Sequence, residues 1–170
     1  AAVKQKPLTA LDHIHGHIYA AGMAFPELRY PFVSLIASGG HTSLFHSQSP
    51  VAHRCVGKTL DDAAGETYDK VANIFGLGYP GGPVVDKLAQ EGDPAGYSFP
   101  RSFTGDERIA FSFSGIKTAV LYKVKGQGAR ANPGDPVRLA DRELKNLLAG
   151  FQEAVADILV EKTLQAARRT

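Results

Sequence analysis

Phe32-Val-Ser-Leu-Ile-Ala-Ser-Gly-Gly-His-Thr-Ser-Leu-Phe45 is the stretch that decides the fold. An apolar, β-branched run meets Gly39-Gly40 and a second run leaves it, the pattern of a β-hairpin with a two-residue turn. Glycine suits such a tip where the backbone needs a positive φ, or where a ligand approaches the amides with no Cβ in the way. Ser38 and His41 bracket the pair. Polar groups and bare N–H groups therefore gather at one tip, a cradle suited to a phosphate.

The totals bound what surrounds this hairpin. A chain of 170 residues builds one core, or one core and a piece of another. Apolar residues are 44% and charged residues 21%, a globular composition rather than a disordered one. No apolar run approaches the ~20 residues of a membrane span, so no membrane partner is expected. The start has no charged and apolar export pattern, and Cys55, the single cysteine, has no internal disulfide partner. Both point to a reducing, cytoplasmic setting. A net charge of +2 announces no nucleic-acid surface by itself. The chain begins without methionine and stops at Arg168-Arg169-Thr170 as a long helix finishes. A segment of a longer protein is expected.

Upstream of the hairpin, Leu8 to Phe25 reads as a helix, with Thr9 as N-cap and Pro26 as its stop. It carries His13-Ile-His-Gly-His17. His13 and His17 share a face, while His15 lies about 200° round the helix. Two imidazoles one turn apart supply two positions on a transition metal, the remaining ligands coming from elsewhere. Zinc proteases of the familiar helical type place a glutamate directly after the first histidine. Here that position is Ile14.

Downstream, Val51 to Val56 reads as a third strand. Asp61 or Asp62 then caps a helix reaching about Phe75 and closed by Gly76. Leu60, Ala64, Tyr68, Val71 and Phe75 make its dry face, and Asp62, Glu66, Asp69 and Asn73 an acidic one. Such a stripe suits ribose hydroxyls, a cation, or plain solvent. In Tyr79-Pro-Gly-Gly-Pro83, Pro83 fits the first turn of another helix, which places Gly81-Gly82 just before its N-terminus, where amides and dipole favour an anion. Asp86 follows one turn in. Gly92 to Glu107 reads as an exposed connection, Ile109 to Phe113 as a strand, and Ser114-Gly115 as the start of a helix with Lys117 in its first turns. Gly126 to Pro136 is a flexible break. Asp141 to Arg168 forms a long amphipathic helix, with a bend expected at Gly150. Its stripe of Leu144, Leu147, Leu148, Phe151, Val155, Ile158 and Leu159 reads as core. Lys162, Arg168 and Arg169 read as the basic end a helix C-terminus prefers.

Taken together, His13-x-x-x-His17 with Gly16, Ile36-Ala-Ser-Gly-Gly-His-Thr42, Asp61-Asp-Ala-Ala-Gly-Glu66 through Asp69-Lys70, Tyr79-Pro-Gly-Gly-Pro83 and Phe111-Ser-Phe-Ser-Gly115 resemble the TsaD-type tRNA adenosine threonylcarbamoyltransferase family, formerly labelled O-sialoglycoprotein endopeptidase. The resemblance runs from about Leu11 to Thr163. It implies an α/β fold of the actin and Hsp70 ATPase (ASKHA) kind, with residues 1–29 ending a first lobe and residues 30–170 forming part of a second, truncated before its last strands. It also implies that His13 and His17 are two of three ligands of one iron or zinc ion, the third lying outside this chain. Ile36, Ala37, Ser38, Gly39, Gly40, Asp69, Gly82 and Asp86 would bind the adenylate. The implied reaction moves a threonylcarbamoyl group from threonylcarbamoyl-adenylate to N6 of the adenosine next to the anticodon of tRNAs reading ANN codons. TsaB- and TsaE-like accessory proteins are the implied partners. Asp12 and His15 stand where the family usually shows other residues. The first lobe's opening phosphate loop, the downstream asparagine that touches nucleotide and the downstream metal-binding aspartate are absent from the 170 residues.

Two other readings compete. A metallo-endopeptidase, as in the old label, is opposed by Ile14 in the general-base position. A non-catalytic nucleotide-binding subunit of the same fold is opposed by the retained histidine pair, which a scaffold does not need.

Overall fold

The computed structural model describes residues 10–127 and 136–170. Its elements, in chain order, are α1 (His13–Ala24), β1 (Phe32–Ala37), β2 (Thr42–Ser49), β3 (Ala52–Thr59), α2 (Ala64–Ile74), α3 (Gly81–Ala89), β4 (Ala110–Phe111), α4 (Ser114–Lys125) and α5 (Asp141–Arg169). The strands form one sheet in the order β1-β2-β3-β4. The first three pair antiparallel, and β4 joins β3 in parallel.

Successive side chains of a strand point to opposite faces, and each face of this sheet has its own cover. Leu44 is buried in the main core with Val71 of α2, Val85 of α3, Phe111, Phe113 and Ile116 around the start of α4, and Leu147, Leu148, Phe151 and Ile158 of α5. Its neighbour Phe45 points the other way and meets the ring of His15 of α1, centroids 5.9 Å apart. So α1 lies on the reverse face, where it buries Ile18 alone.

The hairpin of Phe32 to Phe45 is present with Gly39-Gly40 at its tip, Ala37 pairing with Thr42. Neither glycine has a positive φ, and a Cβ on either would meet nothing within 4 Å. Openness of the tip, not a left-handed turn, is what glycine provides here.

Several boundaries differ from expectation, each for a side-chain reason. Leu8 and Thr9 lie outside the described residues; the described helix starts at His13, where the Asp12 carboxylate accepts from the Ile14 and His15 amides at 2.8 and 3.1 Å. The third strand runs on to Thr59. Ala63, not Asp61 or Asp62, is the N-cap of α2. Asp61 instead caps α4: its carboxylate accepts from the Phe113 and Ser114 amides at 2.8 and 3.3 Å and from the Ser112 and Ser114 hydroxyls at 2.6 and 2.7 Å. Asp62 pairs with Lys70 at 2.6 Å, and Lys70 also reaches Glu66 at 2.9 Å. The acidic stripe of α2 thus carries its own cation. Helix α3 begins at Gly81, so both glycines sit inside its first turn.

The Gly92 to Glu107 connection is no free loop. It contains a 3-10 turn at Pro94–Gly96, buries Phe99, and is tied to α5 by Arg101 on Asp157 and by Gly105 on Glu161. Helix α5 runs continuously through Gly150. A Cβ there would strike the Tyr97 carbonyl oxygen and lie 3.1 Å from that of Pro94, so close approach of the 3-10 turn accounts for this glycine. Lys162 is fully buried rather than exposed at a helix end, donating to the Asp106 carbonyl at 2.8 Å and the Gln165 amide oxygen at 2.9 Å. Strand β4 shrinks to two residues, and residues 128–135 of the expected break lie outside the described residues.

Burial pushes the Asp61 carboxyl up, but the hydrogen bonds from Ser112 and Ser114, with those of the Phe113 and Ser114 amides, outweigh it, and the net shift is downward. A group held below its unfolded value contributes stability that is complete above the ordinary aspartate range and is lost as pH falls through the folded value. Asp61→Ala is expected to cost about 1 kcal/mol near neutrality, as for an exposed helix cap, and nothing measurable at strongly acid pH. Urea melts of the full-length protein at two pH values check this; an equal loss at both would remove the carboxylate from the account.

Candidate nucleotide cleft and histidine pair

The site is built where four elements converge, the hairpin, α2, α3 and α5. The Ser38 carbonyl accepts from the Gly65 amide at 3.1 Å, and the buried Thr42 hydroxyl accepts from the Ala64 amide at 2.8 Å. The first-turn amides of α2 are therefore taken up by the hairpin itself. Close approach is required at this join: a Cβ on Gly65 would lie 2.6 Å from the Ser38 oxygen and 2.8 Å from both Gly39 Cα and N. The His41 amide closes the tip onto the Ser38 hydroxyl at 3.1 Å.

Beside this join lies a cleft of about 470 Å³ lined by Ala37 and Ser38 of the hairpin, Ala64, Gly65 and Tyr68 of α2, Gly82 and Asp86 of α3, and Gln152, Val155, Ala156 and Leu159 of α5. Of the eight residues expected to bind nucleotide, Ala37, Ser38, Gly82 and Asp86 share this lining. Gly39 and Gly40 stand at the open tip next to it. Ile36 is buried in β1. Asp69 is not in the lining; it accepts from the Gly81 amide at 2.7 Å, which fixes the start of α3.

Asp86 is oriented by two amides, Gln152 Nε2 on Oδ1 at 2.9 Å and Gln90 Nε2 on Oδ2 at 3.0 Å. Burial, and secondarily the Asp86 charge, push the Tyr68 phenol up to about 12. Tyr68 is thus a neutral donor at physiological pH, its hydroxyl 3.4 Å from the Gln152 oxygen. Sequence reasoning missed Tyr68, placed on a dry face, and Gln152 with Ala156. The apolar stripe of α5 is core at Leu147, Leu148, Phe151 and Val155, and its edge, from the buried Val155 to the half-buried Leu159, lines the cleft. A polar Gln152 beside Phe151, with Val155, Ala156 and Leu159 at helical spacing, was the available signal.

The histidine pair stands next to the hairpin tip. His13 and His17 bring their Nε2 atoms within 3.1 Å, and the His41 ring lies 5.8 Å from that of His13, centroid to centroid. Two nitrogens bound at about 2.0–2.1 Å to one tetrahedral or octahedral ion are separated by about 2.9–3.4 Å. The separation of the pair therefore matches that of two ligands on a shared ion. Among the described residues no group of three or more His, Cys, Asp or Glu is arranged to hold a metal. Among those residues, too, no helix is long and apolar enough to cross a membrane.

Known proteins resemble this sequence along nearly all of its length. The model of the TsaD family, described as tRNA N6-adenosine threonylcarbamoyltransferase, matches residues 1–170. A protein of that name from Thermotoga neapolitana is 46% identical over 164 residues, covering 96% of this chain and 46% of the relative. One from Syntrophobacter fumaroxidans is 47% identical over 165 residues, 96% of this chain and 47% of the relative. One from Moorella thermoacetica is 46% identical over 165 residues, 95% of this chain and 45% of the relative. The chain spans somewhat less than half the length of these curated relatives. With the mixed sheet and helices described above, this agrees with the actin and Hsp70-like fold class expected from the sequence. From the match along the whole chain, and from relatives at this identity, it follows that the chain belongs to the TsaD family.

Proposed function

We propose that this chain forms one wall of the catalytic cleft of a tRNA threonylcarbamoyladenosine transferase, an acyltransferase that moves the threonylcarbamoyl group from threonylcarbamoyl-adenylate to N6 of the adenosine next to the anticodon. Residues 1–29 end its first lobe and residues 30–170 form part of its second. One observation carries the reading: the hairpin tip, the start of α3 and the edge of α5 converge on a single cleft, with the histidine pair beside the tip.

In this reading the adenylate phosphate lies against the open amides of Gly39 and Gly40, where no Cβ intervenes. Asp86, held by Gln152 and Gln90, accepts hydrogen bonds from ribose hydroxyls, and the apolar edge of α5 at Val155, Ala156 and Leu159 excludes water from the base. Gly82 leaves room for the flat ring, since a Cβ there meets nothing within 4 Å. His13 and His17 would hold one iron or zinc ion, with the third ligand outside this chain; such an ion acts as Lewis acid and template for the carbamoyl group. The amine of the tRNA adenosine attacks the carbamoyl carbon, the bond from that carbon to the phosphate oxygen breaks, AMP leaves with that oxygen, and the proton of the amine is released to solvent. The partners of the proposal are tRNA and accessory proteins resembling TsaB and TsaE, in the cytoplasm.

Asp86→Ala in the full-length protein is expected to weaken adenine-nucleotide binding about tenfold, the loss of charged hydrogen bonds. Modified adenosine formed from tRNA and threonylcarbamoyl-adenylate should fall with it. Cleavage of a glycoprotein without modification of tRNA would instead favour the endopeptidase reading. Unchanged nucleotide affinity would remove Asp86 from the site.

A further inference from the structure

Helix α1 carries two stripes. His13 and His17 face the hairpin tip, and His15 and Tyr19, also one turn apart, face the reverse side of the sheet near the β2–β3 turn. The second stripe is a clasp. The Tyr19 hydroxyl donates to the Pro50 carbonyl at 2.7 Å, and His53 Nε2 approaches the same carbonyl at 3.2 Å. The other nitrogen of His53 meets the hydroxyl of Ser47 at 2.8 Å, a residue with no exposed surface. The His53 ring also sits 5.0 Å from that of His15 and 5.3 Å from that of Tyr19.

This clasp matters because little else fixes the helix. Ile18 is its only buried residue, so apolar packing sets its distance from the sheet but restrains its sliding weakly. Both attachments lie along β2: the tip that precedes Thr42 stands beside His13, and the turn that follows Ser49 holds Tyr19. A hydrogen bond of fixed length at the turn therefore sets how far along β2 the histidine pair stands.

We propose that Tyr19, through the Pro50 carbonyl and the His53–Ser47 pair that orders this turn, is a positioning residue for the metal-binding histidines. The inference rests on the metal reading of His13 and His17 given above. It adds that a hydrogen bond on the opposite side of the helix tunes the affinity of the pair.

The test uses the full-length protein with Tyr19→Phe, His53→Ala and, as a control on an exposed tyrosine of α4, Tyr122→Phe. Each is titrated with Zn²⁺ against a chromophoric chelator and loaded with Co²⁺ for its ligand-field absorption. Tyr19→Phe and His53→Ala are expected to bind zinc about tenfold more weakly, at the lower end of what losing a direct outer partner of a metal ligand costs, because they act only through the placement of the helix. Their cobalt band should shift, while Tyr122→Phe matches wild type. A variant that melts earlier yet keeps wild-type zinc affinity and an unchanged cobalt spectrum overturns the inference, because its role is then structural only. If wild type binds no zinc or cobalt, the metal assignment fails and the inference with it; if wild type binds and the two variants match it, the inference fails alone.

Discussion

The full-length protein carrying His17→Ala is expected to bind iron or zinc on the order of 100-fold more weakly, to emerge from purification nearly metal-free, and to lose the proposed transferase activity accordingly. The magnitude follows from sharing roughly 10–16 kcal/mol of metal binding among the four positions of a tetrahedral ion, three of them held by protein, about 3 kcal/mol each, or about a hundredfold in Kd. The geometry leaves no spare donor: the two Nε2 atoms are already at the separation of a shared ion, and among the described residues no third ligand group is arranged with them. Elemental analysis of matched preparations reads the metal. Chelator should reduce wild type to the level of the variant and leave the variant where it was. Full metal content in His17→Ala would remove the pair as ligands.

Gly65→Val is expected to cost about 2–3 kcal/mol of stability and to weaken nucleotide binding more than tenfold. The new Cβ would lie 2.6–2.8 Å from three backbone atoms of Ser38 and Gly39, and backbone, unlike the end of a flexible side chain, yields only if the whole tip moves. Overpacking of this kind carries a cost of this order. The same displacement breaks the Gly65 to Ser38 hydrogen bond and parts the hairpin from α2, two of the walls of the cleft. Denaturant melts and nucleotide titration of the full-length protein measure the two effects. Wild-type affinity at wild-type stability would show that this join does not shape the cleft.

What the sequence disclosed and what it concealed divide along one physical line. Features written by local periodicity were legible: the glycine-tipped hairpin, α4 from Ser114, and the length of α5. So was the shared face of His13 and His17, because helical spacing alone dictates it. Concealed were the uses of side chains whose partners lie far along the chain. Asp61 looked like the cap of the helix that follows it, yet its partners lie 51–53 residues on. Gly150 looked like a bend because the carbonyl that demands a glycine there comes from Tyr97. Lys162 looked like an end charge because the carbonyl that buries it belongs to Asp106. In the site, the family motifs marked the hairpin and the start of α3, whereas Gln152 and Tyr68 enter through packing between helices.

The continuity of α5 gives the molecule a stiff lever. At 1.5 Å per residue its 29 residues make a rod of about 43 Å. Gln152, Val155, Ala156 and Leu159 of that rod form a wall of the cleft, while Asp157, Glu161 and Lys162 grip the segment from Arg101 to Asp106. A tilt of about 5° pivoting at Gln152 carries the Arg169 end, roughly 25 Å away, by roughly 2 Å. Because the helix runs unbroken from Gln152 to Lys162, any tilt that moved the cleft wall would carry the Arg101 to Asp106 segment with it.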